Sequence, residues 1–107
     1  MNLDIQTEHV VMRPEWHRMI EAWVALCRGR HPGVGALDLT LRHGGERRAV
    51  EEVDAVATAG PRSLRAHATA DVMSVALGDA LASLEHELWA AEGVEEQGRI
   101  RPARRRN

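Results

Sequence analysis

Arginine is the residue type in this chain with the most chemistry to offer. All fourteen basic residues are Arg and none is Lys, a preference that coding composition explains as well as any functional demand. A planar guanidinium can grip a phosphate or a carboxylate through two parallel N–H bonds. Eleven of the arginines fall into four groups. Arg28 and Arg30 stand beside His31. Arg42, Arg47 and Arg48 surround the His43-Gly44-Gly45-Glu46 segment. Arg65 and His67 share one face of an expected strand, alternating with Leu64, Ala66 and Ala68. Arg99, Arg101, Arg104, Arg105 and Arg106 crowd the end of the sequence, with no acid from Arg99 to Asn107. Each group could hold RNA phosphate. Each also has a plainer account. Arg28 and Arg30 would complement a helix C-terminus. Arg42, Arg47 and Arg48 would be a solvated hairpin tip paired with Glu46, Glu51 and Glu52. Arg65 and His67 would be ordinary surface. The final five arginines could fold back on Glu85, Glu87 and Glu92 or serve only to solubilise.

Catalytic and metal chemistry finds little support. The six histidines His9, His17, His31, His43, His67 and His86 include no pair at a metal-ligand spacing on an expected helix. No Ser/His/Asp set is implied, and the Gly29–Gly35 segment follows a helix and contains Pro32, which is wrong for a phosphate loop. We expect no enzymatic activity, no cofactor and no metal.

The elements that must position these residues are legible from periodicity. Leu3 and Ile5 alternate with Asp4 and Gln6, a half-buried strand over residues 2–7. Pro14 suits the first turn of a helix. Trp16, Ile20, Trp23, Val24 and Cys27 then form one apolar stripe to about Arg28, and Gly29 begins the exit loop. Leu37, Leu39 and Leu41 mark a second strand. Val53, Ala55 and Ala57 mark one face of a third, at about 48–58. Leu64, Ala66, Ala68 and Ala70 mark a fourth, after a turn at Ala59-Gly60-Pro61-Arg62. Thr69 or Asp71 could cap a last helix whose stripe is Met73, Leu77, Leu81, Leu84 and Leu88, fraying near Glu92-Gly93. Trp16 and Trp23 belong to the core, and Trp89 is expected to close its lower end, with an exposed anchor for a partner or a stacking surface for a base as the alternative. The order β-α-β-β-β-α implies an α+β fold, two helices on one face of a four-stranded sheet.

A chain of 107 residues makes one domain, here 1–93, with 94–107 an Arg-rich tail expected to be disordered. The single Cys27 cannot form an internal bridge, which fits a reducing compartment. There is no membrane-length apolar run and no secretory n-region at Met1-Asn2-Leu3-Asp4, so we expect a soluble cytoplasmic protein. The net charge of −2 is uneven. Residues 71–96 hold seven acids and no Arg or Lys, whereas Arg13 to Arg65 hold nine Arg and seven acids.

Several segments resemble the ribosome hibernation promoting factor and ribosome-associated translation inhibitor family. Met1-Asn2-Leu3-Asp4-Ile5-Gln6-Thr7 is similar to its first strand. His9-Val10-Val11-Met12-Arg13-Pro14-Glu15 resembles its link into the first helix, with Arg13 where a threonine cap would stand. Asp54-Ala55-Val56-Ala57 and its Gly turn resemble the third strand and hairpin. Leu64-Arg65-Ala66-His67-Ala68-Thr69-Ala70-Asp71-Val72-Met73 resembles the fourth strand entering the last helix. The likeness covers residues 1 to 92. It implies a stress-response, non-enzymatic protein that docks on the small ribosomal subunit and its rRNA, in the channel of mRNA and tRNA. The family's last helix carries a Lys-Leu-x-Arg-Gln-Leu-x-Lys type run. Here Ser83, His86 and Ala90 take the basic positions, with Glu85 and Glu87 between them. The resemblance therefore makes His86 an RNA-contact candidate. The acidic last helix and Trp89 suggest the alternative, a protein–protein module or homodimer built on that helix.

Overall fold

The computed structural model describes residues 1–44 and 50–104, with side chains through Gly93. The elements are β1 (Asn2–Glu8), α1 (Pro14–Arg30), β2 (Val34–His43), β3 (Glu51–Ala59), β4 (Arg62–Ala70) and α2 (Met73–Arg104). They form one sheet in the order β1-β2-β3-β4. β1 pairs parallel with β2, while β2–β3 and β3–β4 are antiparallel. The expected α+β order is the one observed.

Alternation puts Leu37, Leu39 and Leu41 of β2 and Val53, Ala55 and Ala57 of β3 on one buried face. Both helices cover that face, and their stripes join it in one cluster. α2 lies over β3 and β4 and beside α1. Its Leu77, Leu81, Leu84 and Leu88 project where the strands offer alanine: Ala55, Ala57, Ala66 and Ala68. Large side chains on the helix thus meet small ones on the sheet, which fills the layer without overpacking. The β3–β4 hairpin turns through Gly60-Pro61 between the paired Ala59 and Arg62, with Gly60 at φ 60°. A two-residue hairpin turn with glycine first requires that left-handed backbone.

Three boundaries differ from expectation. α1 continues through Gly29 to Arg30, and the cap is His31, whose N–H donates to the Cys27 carbonyl at 2.7 Å. The His31 ring is buried against α2, so the last turn is held by tertiary contacts despite its glycine. At the other helix, Val72 precedes Met73 and its carbonyl accepts from Val75 and Ala76. Thr69 ends in the strand and Asp71 lies before Val72, so neither occupies the capping position. α2 also runs past Glu92-Gly93 to Arg104. The side chains of Arg99, Arg101 and Arg104, and the whole of Arg105 and Arg106, lie outside the description, as do Arg47 and Arg48.

Cys27 is fully buried. Burial first, then the charges of Glu85 and Glu92, push its thiol above the ordinary value. A buried thiol kept protonated is a poor nucleophile. A thiol reagent should therefore label Cys27 slowly in native buffer and rapidly in denaturant. Equal rates in the two would show that the α1 stripe is not the core.

Candidate nucleic-acid interface

Register places the expected cations on separate surfaces. Arg42 and Arg65 share the open face of the sheet, because Arg42 aligns with Glu8 and Glu52 while Arg65 aligns with Val56 and, through it, Asp38. Arg28 and Arg30 close the exposed side of α1. His86 is exposed on α2. The structure therefore does not bring the described candidates into one basic patch.

Arg42 is occupied. Its Nη1 donates to Asp54 at 2.7 Å and to Glu52 at 3.4 Å, and its Nε donates to Glu8 at 3.1 Å. The hydrogen bond to Asp54, then that to Glu8, holds the guanidinium pKa above its ordinary value. His67 Nε2 also reaches Glu52 at 2.9 Å. That bond, outweighing burial and aided by Arg42, holds the Glu52 carboxyl below the usual range. Asp4 and Asp38 stand on the same face by register. Five carboxylates thus surround Arg42, Arg65 and His67, and the described open face is acidic. Arg65 is exposed and makes no ion pair with a described residue.

A second polar cluster escaped sequence reasoning. His31 is 1% exposed, the one buried polar or charged residue among those described. Its Nδ1 meets Glu92 Oε2 at 2.6 Å and its Nε2 meets Glu85 Oε2 at 3.1 Å. Carboxylate oxygens only accept, so both bonds are donated only by the doubly protonated ring. Glu85 Oε2 also accepts from Arg30 Nη1 at 3.2 Å and from Trp89 Nε1 at 2.9 Å. Burial raises the Glu85 pKa, but the bonds from His31, Arg30 and Trp89 outweigh it and leave the carboxyl below its ordinary value. Trp89 packs edge-on to His31 with centroids 4.7 Å apart, yet is half-exposed. It does not close the core, because its ring is turned to the His31 clasp at the helix rim. Of the three acids expected as targets of a folded-back tail, Glu85 and Glu92 already hold His31, and Glu87 does not. The signal was the spacing Glu85, Trp89, Glu92, at i, i+4 and i+7 on one side of α2.

Among the described residues no group of three or more His, Cys, Asp or Glu could hold a metal ion. No described helix is long and apolar enough to cross a membrane.

Neither a family sequence model nor a curated protein sequence matches this chain. Solved structures do. A ribosomal subunit interface protein from Coxiella burnetii superposes with a TM-score of 0.77 at 15% identity, over 87% of this chain and 99% of that one. The chain has the ribosomal subunit interface protein fold. The Protein Y N-terminal domain from Thermus thermophilus superposes with a TM-score of 0.69 at 13% identity, over 82% of this chain and 96% of that one.

Within this interface-protein fold, the altered run on the last helix has a clear position. Ser83, His86, Glu87 and Ala90 are all exposed, while Leu84 and Leu88 are buried. Leu84 and Leu88 serve the core, while Ser83, His86 and Ala90, at the positions the resemblance assigns to basic residues, face solvent. The residues that hold α2 to the sheet are thus separate from those that form its exposed surface.

Proposed function

We propose that the chain is a ribosome-associated translation inhibitor, a cytoplasmic hibernation factor that docks on small-subunit rRNA in the mRNA and tRNA channel and acts by occupying it. No bond is made or broken. The observation that carries this reading is the superposition across 99% of a ribosomal subunit interface protein.

The contacts then come from arginines outside the acidic stretch of α2. Arg28 and Arg65 are exposed and unpaired among the described residues. Arg47, Arg48, Arg99, Arg101, Arg104, Arg105 and Arg106 join them as the principal phosphate contacts. Arg30 and Arg42 contribute less, because Glu85 and three sheet carboxylates already hold them. His86 adds a weaker contact.

Co-sedimentation with ribosomes through a sucrose cushion, at low and at moderate salt, tests the reading. Stoichiometric pelleting with the small subunit is expected. Replacing the five terminal arginines by Gln should weaken it and flatten the salt dependence by about one slope unit per lost phosphate contact. Failure to pellet at low salt would remove the ribosomal function. Pelleting unchanged by the five replacements together with reversal of Arg47 and Arg48 would refute the contact assignment. A second reading, a protein-interaction module, is favoured by the half-exposed Trp89 on an acidic helix.

A further inference from the structure

On the side away from the sheet, α1 and α2 leave a groove of about 520 Å³ between them. Met19, Ala22, Trp23 and Leu26 line one wall and Gly78, Leu81, Ala82 and Trp89 the other, with the Arg30–Glu85 pair across one end. The apolar spacing is regular: Met19, Ala22 and Leu26 step by three and four, while Val75, Ala82 and Trp89 recur every seventh residue. Leu26, Val75 and Trp89 are each about half-exposed, at 50%, 51% and 51%. Trp23 is buried, and its indole N–H has no acceptor among the described residues. Helix faces with apolar residues at this spacing normally meet another helix.

The two helices run parallel. Trp16 and Met73 line one cavity at their starts, and Arg30 bonds Glu85 towards their ends. Between these, the Met19 side chain lies 3.8 Å from where a Cβ on Gly78 would stand. Arg18 and Asp79 therefore sit at one level along the helices. Both are exposed and neither has an ion-pair partner among the described residues.

We propose that this two-helix face is the contact between two copies of the chain, related by a two-fold axis running along the groove. Such an axis lays each α1 over the partner's α2 without changing level, as an isologous interface requires. Arg18 of one copy then meets Asp79 of the other, twice. Trp89 comes to the level of Gly29, where a Cβ would meet nothing within 4 Å. Ala22, Ala25 and Gly29 give a flat bed for the projecting Leu26, Val75 and Trp89. Charge selects a second copy over another apolar partner, because α2 has no Arg or Lys before Arg99, whereas α1, which also holds Glu15 and Glu21, offers Arg18 at the level of Asp79; Arg30 is already held by Glu85 of its own copy. The proposal rests on the protein-contact reading of this face and not on ribosome docking.

Sedimentation equilibrium of the full chain, free of ribosomes, over a concentration series tests it. The expected result is a reversible dimer, weakened at least about tenfold by Ala82→Arg. Arg18→Asp and Asp79→Arg should each weaken it, and the double replacement should restore it. All these sites are solvent-facing, and circular dichroism is the check that each variant is folded. A chain monomeric at every concentration overturns the proposal, including one whose groove is covered only when a basic amphipathic helix is added. So does a dimer indifferent to Ala82→Arg, or one that the double charge exchange fails to restore. Ribosome pelleting is read separately, so either function can fail alone.

Discussion

Replacing His31 by alanine should lower the unfolding free energy by about 1–3 kcal/mol, the range for leaving a buried hydrogen-bonding group without one of its partners. The ring is buried, and it joins the end of α1 to two carboxylates of α2. Removal leaves Glu85, whose side chain is only 17% exposed, with Arg30 and Trp89 but without its buried partner. Glu92 is 41% exposed and can recover water. Glu85→Gln should therefore cost more than Glu92→Gln. The backbone N–H of residue 31 keeps its bond to Cys27, so the helix cap survives and the loss reports the side chain. Urea unfolding midpoints check this. A His31→Ala midpoint equal to that of the parent would mean that the clasp adds nothing.

The clasp and the open sheet face together set an acid limb. Glu85 and Glu52 both titrate below their ordinary value in the folded chain. Over that window the unfolded chain binds more protons, so stability rises with pH. Their contribution is complete above the ordinary carboxylate range and is lost as pH falls through the lowered folded values. His31→Ala removes the leading bond that lowers Glu85 and leaves burial opposing it. The acid limb of that variant should be shallower. An acid limb of unchanged steepness would assign the pH dependence elsewhere.

What periodicity shows and what it hides divide along a physical line. Alternation and helical spacing record burial, and burial is set within one element. Leu37, Leu39 and Leu41, or Trp16, Ile20, Trp23, Val24 and Cys27, were therefore legible from the sequence, and all are core. Polar partners are set by how elements dock. His31 finds Glu85 and Glu92 at separations of 54 and 61 residues. Arg42 finds Glu8 across β1 and Asp54 across β3. Formal charge alone does not distinguish Arg42, held by three acids, from Arg65, held by none that is described. Trp89 misled for the same reason. It stands next to Leu88, but a quarter-turn along α2 takes it from the sheet side to the His31 side. The Gly29 stop failed because a docked His31 outweighs the modest helix cost of one glycine, about 1 kcal/mol.

The largest loss of stability is expected from Leu84→Ala, at about 3–5 kcal/mol. Leu84 is fully buried in the middle of the α2 stripe. The cost of such a cavity depends on whether neighbours can collapse into it. Here α2 faces β3 and β4, whose inward residues are mostly alanine: Ala55, Ala57, Ala66 and Ala68, with only Val53 and Leu64 longer, so little side-chain length is there to move. The helix itself offers Ala76 and Ala80, which are equally short. The hole would therefore stay largely open, placing the loss in the upper part of the range. Leu84→Met conserves volume and bends, so it should cost less than about 1.5 kcal/mol. Against a total stability of about 5–15 kcal/mol for a domain of this kind, the alanine variant should be partly unfolded on warming while the methionine variant is not. Thermal and urea unfolding of the pair checks this. Comparable small losses in both would mean that the sheet moves to meet the helix, and that the alanines of β3 and β4 do not fix its height.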